Sequence, residues 1–222
     1  MQPRRVDGGA ETLPFDELDP GTNVLVTGPV MTGKRRLMHA LLAQDSPNER
    51  GTIVVTTRKD ATRTVRDFER VAGTVDDDRL AIVDCVGDSR GFGRRRPTSN
   101  VQHVSDPGDL TGIGIGVTKF MRRYYDEGTG ARLGLHSLST MLMYSDLRRV
   151  FQFLHVMTGR ISSSGFVGVF TLDDTVPDNA DVSILRQPFD ALVEVRETPE
   201  GQREVRTRGA DIGPRHWTPV DY

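Results

Sequence analysis

The chain has 222 residues, 36% of them hydrophobic and 27% charged, with a formal net charge of −2. That length and apolar content suit one globular domain with a sizeable core, and the near-neutral charge gives no overall attraction to phosphate backbones or anionic lipid, which argues against nucleic acid as a partner. A single cysteine, Cys85 in the apolar run LAIVDCV, excludes an internal disulfide framework and a cysteine-ligated zinc site, and reads as a buried, inert thiol.

Residues 1–20 are polar, carry Pro3, Pro14 and Pro20, and read as a flexible N-terminal arm ahead of a single domain over 21–222. No apolar stretch follows the arginines of this arm and no run approaches the roughly eighteen apolar residues of a membrane span, so a cytoplasmic protein with no membrane contact is expected. VLVTG (24–28) predicts a strand, and KRRLMHALLAQ (34–44) a helix with Leu37, Leu41 and Leu42 on one face. GTIVVTT (51–57) and LAIVDCV (80–86) predict further buried strands, separated by a helix over 61–73 with Val65, Phe68 and Ala72 at helical spacing.

The glycine-, arginine- and proline-rich segment 87–109 predicts a long loop, in which GFGRRR is a candidate phosphate contact or a solvated charged stretch. A helix capped by Asp109 follows, with Val117, Phe120, Met121 and Tyr124 inward and a stop at Gly128. RLGLHSLSTML (132–142) reads as a strand leading into a polar turn, SDLRRVFQFLHVMTGRI (145–161) as a helix capped by Ser145, and GFVGVFTLDD (165–174) as a strand. From Phe189 the alternation changes to that of an antiparallel hairpin turning at TPEG. Apolar strands alternating with helices predict an α/β fold with a mostly parallel central sheet, ended by a C-terminal antiparallel hairpin.

The stretch GPVMTGKR carries the chemistry. Gly28, Gly33 and Lys34 fit G-x-x-x-x-G-K between a strand and a helix, where glycines let successive amides converge on phosphate and the lysine adds a fixed charge. Residues Gly28, Pro29, Val30, Met31, Thr32, Gly33, Lys34 and Arg35 are therefore the candidate nucleotide-binding set. Arg35 stands where the motif places the serine or threonine that holds Mg²⁺, and a guanidinium has no acceptor for a metal. The five histidines, His39, His103, His136, His155 and His216, have no paired ligand spacing, so no metal held by protein side chains is expected.

With GPVMTGK, TIVVTT, PGDLTGIGIGV and RLGLHSLSTML in this order, the chain resembles the RecA/KaiC group of P-loop ATPases over about residues 20 to 210. Within that group it is similar to the divergent KaiC-like proteins of haloarchaea, called HTR-like and assigned to signalling. The resemblance implies a RecA-like three-layer sandwich, ATP as ligand with Mg²⁺, a signalling protein as partner, and a homo-oligomer. It also implies a Walker B aspartate where this chain has His136, and an acidic residue after the second strand where this chain reads TTRKD, with Arg58 in place and Asp60 just beyond. Asp84 and Asp173, with Asp174, are candidates for relocated acids, because strand C-terminal ends line the crevice of open α/β folds. Capped turns and hydrated surface positions are the alternative for Asp173 and Asp174, and a histidine satisfied by Ser137 or Ser139 is the alternative for His136. Trp217 reads as a cover for the sheet edge, with stacking on adenine as the alternative.

The expected function is ATP binding with weak or absent hydrolysis in a regulatory role. A nucleotide-free interaction scaffold is the second expectation, and an active, DNA-related ATPase with relocated acids the third.

Overall fold

A computed structural model describes residues 4–5, 12–44, 49–86, 99–174 and 179–222. A nine-stranded sheet forms its centre, preceded by a two-residue antiparallel pair of β1 (Arg4–Arg5) and β2 (Thr12–Leu13). The sheet strands are β3 (Asn23–Gly28), β4 (Gly51–Thr56), β5 (Leu80–Asp84), β6 (Val101–His103), β7 (Ala131–His136), β8 (Val167–Asp173), β9 (Ala191–Glu197), β10 (Arg203–Gly209) and β11 (Thr218–Pro219). Their spatial order is β11-β10-β9-β3-β8-β7-β4-β5-β6. From β9 to β6 all neighbours run parallel, and β10 and β11 return antiparallel as the predicted hairpin and one further short strand.

Alternation along each strand sends its side chains to two separate cores. Val24 and Val26 of β3, Val54 of β4 and Val169 of β8 enter one core, while Leu25, Ile53, Val55 and Phe170 enter the other. The first core is closed by α1 (Lys34–Leu42) and α2 (Ala61–Ala72) through Leu37, Met38, Leu41, Phe68 and Val71. The second is closed by α3 (Leu110–Asp126), α4 (Leu138–Tyr144), α5 (Leu147–Ser163) and α6 (Asn179–Arg186) through residues such as Phe120, Met141, Leu154 and Leu185. Each large side chain buried in this way contributes about 1.5–3 kcal/mol, which is why strands apolar on both faces require helices on both sides.

Four expectations change. Leu13, Phe15 and Leu18 are buried in the first core, so the end of the expected arm is anchored at these three positions while Asp16 and Glu17 stay exposed. The segment after Cys85 contains β6, a three-residue edge strand whose side chains are half-buried and which had no apolar run to announce it. GFGRRR lies outside the described residues. The polar turn expected after His136 is instead the helix α4: Ser137 caps it by accepting from the Thr140 amide, and Leu138 and Met141 are buried beneath it. Asp146, rather than Ser145, caps α5 by accepting from the Arg149 amide at 3.0 Å, because the Ser145 amide already donates to Met141 and closes α4.

Candidate functional site

The loop of residues 28–34 lies at the carboxyl edge of the parallel sheet, where β3 ends between β8 and β9. Gly28 is required by packing: a Cβ there would stand 2.3 Å from the Val195 carbonyl oxygen of β9. Gly33 has φ 85°, in the left-handed region, and a Cβ there would also meet the Tyr222 ring at 2.9 Å. Thr32 braces the loop from within by donating to the Pro29 carbonyl at 2.9 Å, and the Tyr222 hydroxyl donates to the Thr32 carbonyl at 3.0 Å. Val30 and Met31 project outward, Met31 with 94% of its surface exposed.

The start of α1 differs from those of its neighbours. Asp60, Asp109, Ser137 and Asp146 each accept an amide at the N-termini of α2 to α5, whereas Gly33 gives α1 no side-chain cap and the first turn has no acidic residue. First-turn amides and the positive end of the helix dipole are thus left without a side-chain acceptor at the mouth of the loop.

Lys34 is 4% exposed and held from three sides. Its ammonium donates to the Gly28 carbonyl at 2.8 Å and to the Pro29 carbonyl, and it pairs with the Asp173 carboxylate at 2.9 Å. Three N–H groups therefore meet three acceptors. Asp173 ends β8 beside Gly28, and its amide donates to the Ser139 hydroxyl of α4 at 2.7 Å, which ties down the backbone that carries the carboxylate. The next residue, Asp174, donates its amide to the Gly28 carbonyl at 3.1 Å, and burial pushes its carboxyl above the usual range.

Arg35 turns to α2, where Asp67 receives it at 3.2 Å together with Lys59 at 2.6 Å and Arg70 at 3.2 Å. His39, one turn further along α1, is pushed down to about 4 by burial and then by Arg35. His136 ends β7 and shares a hydrogen bond of 2.8 Å with Thr171 of β8, the partner in place of the expected Ser137 or Ser139. Burial, followed by the Arg35 charge, pushes His136 down to about 3, so its imidazole is neutral at pH 7.

A model for a family of unknown function, DUF7504, matches residues 21–195. The chain belongs to DUF7504. No curated protein matches it. The DUF7504 match takes in the loop, Asp67, His136 and Asp173, and stops at Val195 in β9, before β10, β11 and Tyr222.

The remaining candidates of this DUF7504 chain lie elsewhere. Asp84 is fully buried at the end of β5, four strand spacings or about 19 Å from β3 across the sheet. Its two oxygens accept the Ala61 amide at the start of α2 and the Val86 amide, each at 2.9 Å, so it closes a corner of the fold rather than facing the loop. Asp60 caps α2, and Arg58 is exposed. Trp217 lies against Arg196 and Arg206 of the hairpin, with guanidinium carbons 4.2 and 4.5 Å from its ring, as expected for a cover on the sheet. Cys85 is buried and its thiol is pushed up to about 12 by burial. The roles of Asp67, Ser139, Thr171 and Tyr222 had no sequence signal, because each reaches the site from an element distant in the chain. Among the described residues no group of three or more His, Cys, Asp or Glu side chains is placed to hold a metal ion. Arg35 and His136 supply neither the hydroxyl nor the carboxylate that Mg²⁺ would take, so the usual ligand set does not fit.

Proposed function

We propose that this chain is a KaiC-like P-loop protein that binds ATP at the 28–34 loop and turns it over weakly or not at all, in a regulatory or signalling role. The observation that carries this reading is the uncapped start of α1 next to a left-handed Gly33 and a buried Lys34. Together they offer backbone donors, a helix dipole and an ammonium to a phosphate group. The parallel sheet with helices on both faces is compatible with a RecA-like sandwich.

Weak turnover follows from the surroundings of the loop. A neutral His136 brings no charge to a metal's water shell, Arg35 is engaged by Asp67, and Asp84 lies across the sheet. Phosphoryl transfer is accelerated chiefly by groups that stabilise the charge developing on the phosphoryl oxygens, and at the positions named here the usual hydroxyl and carboxylate are replaced by Arg35 and His136.

Asp173 sets the condition for binding. A phosphate reaching Lys34 must displace a carboxylate 2.9 Å away, so the ion pair competes with the ligand. The same contact favours a second reading, a nucleotide-free scaffold in which the lysine is a structural residue.

Calorimetric titration of the full chain with ATP, in EDTA and in Mg²⁺, separates the two. Saturable binding that is lost in Lys34→Ala at unchanged melting temperature is expected, and Asp173→Asn should tighten binding in EDTA by about tenfold. No heat at millimolar ATP in either the wild-type chain or Asp173→Asn leaves the scaffold. Phosphate release well above background that vanishes in Lys34→Ala would instead restore an active ATPase.

A further inference from the structure

The face of the molecule formed by α3 and α5 sets exposed apolar side chains among cationic ones. On α3, Ile115, Thr118, Arg122 and Tyr125 follow helical spacing, and on α5 so do Arg149, Phe153, Val156 and Arg160. Ile115 is 65% exposed, Tyr125 64% and Val156 52%. Both helices lead into parallel strands and so run in the same direction, leaving a continuous furrow between them. Two adjoining depressions of about 770 and 970 Å³ share Thr118, Arg122, Val156 and Arg160, which joins them into one groove. From residue 111 to 125 that groove runs about 21 Å, the length of four helical turns.

Its chemistry selects an occupant. Gly114, Thr118 and Gly159 keep stretches of the floor low, so a third helix can approach closely. The rim carries Lys119, Arg122, Arg149 and Arg160 against the single acid Asp126, in a chain whose net charge is −2. None of these four cations forms an ion pair among the described residues; Arg160 donates to the Thr118 hydroxyl at 2.8 Å and Lys119 to Gln102 at 3.4 Å. An apolar floor with a locally basic rim complements a ligand with an apolar stripe and acidic flanks.

We propose that the α3–α5 groove is a docking site for an acidic amphipathic helix of a partner protein. The helix lays its apolar side on Ile115, Phe153 and Val156 and its carboxylates beside Arg122, Arg149 and Arg160. The site lies on the second core's side of the sheet, whereas the helix that follows the 28–34 loop packs in the first core.

Fluorescence anisotropy of the full chain tests this with two designed, labelled helices of eighteen residues. Both carry leucines at i, i+3, i+4 and i+7, one flanked by glutamates and the other by lysines. The glutamate helix is expected to bind more tightly, with affinity falling as salt rises. Val156→Glu, or Ile115→Glu if that variant melts early, should weaken it by about tenfold or more, and Arg122→Glu with Arg160→Glu should reverse the preference. Absence of binding, equal binding of both helices, or affinity untouched by these substitutions overturns the proposal. A concentration-dependent dimer in sedimentation that Ile115→Glu abolishes also overturns it, because the groove then belongs to a second copy of the chain.

Discussion

His136 and His39 make stability depend on pH in a defined window. Both are depressed in the folded chain, to about 3 and about 4, while an unfolded histidine titrates near 6.5. Below that value the unfolded state binds protons that the folded state refuses, so stability is full above about pH 6.5 and falls as pH drops toward the folded values. Each histidine removes up to about 1.4 kcal/mol per pH unit in that range. Urea midpoints at pH 7 and pH 5 should therefore differ clearly, and His136→Gln should shrink the difference. Asp67 and Glu194, held low by neighbouring cations against the opposing effect of burial, add their own loss as pH falls below their unfolded values of 3.8 and 4.5, inside the lower part of the same window. Gly28, in turn, separates packing from ligand contact: Gly28→Ala should cost about 2 kcal/mol or more in the absence of any nucleotide, since the new methyl strikes the backbone of β9. An unchanged melting temperature would show that the strands can part at no cost.

Among the elements, the helices reveal what local sequence can and cannot say. Asp109 was legible as a cap because a polar segment ends there and apolar residues begin at helical spacing. The choice between Ser145 and Asp146 was not legible, since it depends on where α4 ends, and α4 is too short for its periodicity to stand out. Asp146→Ala should cost about 1 kcal/mol, and Ser145→Ala much less, in chemical denaturation of the two variants. Asp84 likewise works between elements. It joins β5 to α2 through the Ala61 amide and holds the exit of β5 through the Val86 amide, so Asp84→Asn should lower stability by roughly 1–3 kcal/mol while leaving ATP titration unchanged. Loss of ATP binding in a folded Asp84→Asn chain would place that carboxylate back in the site.

Across the molecule, strand order decides which predicted residues meet. Asp84 and Asp173 look equivalent in the chain, each an aspartate at the end of an apolar run, but β8 lies beside β3 and β5 lies four places away. Tyr222, which follows the last strand, packs on Gly33 in the first core and is 2% exposed. Tyr222→Ala should lower stability by about 3 kcal/mol, and Tyr222→Phe, which leaves the Thr32 carbonyl without its donor, by about 1 kcal/mol, both read from denaturant midpoints.

The alternation of apolar strands and amphipathic helices, the glycine loop before Lys34 and the hairpin after Phe189 were all written in local order, because hydrophobic period and backbone freedom act over a few residues. Pairings between distant elements were not: Lys34 with Asp173, Arg35 with Asp67 and His136 with Thr171 arise only when the strands are laid side by side. Such contacts depend on the order in which strands cross over one another, a property of the folded sheet that no single segment encodes.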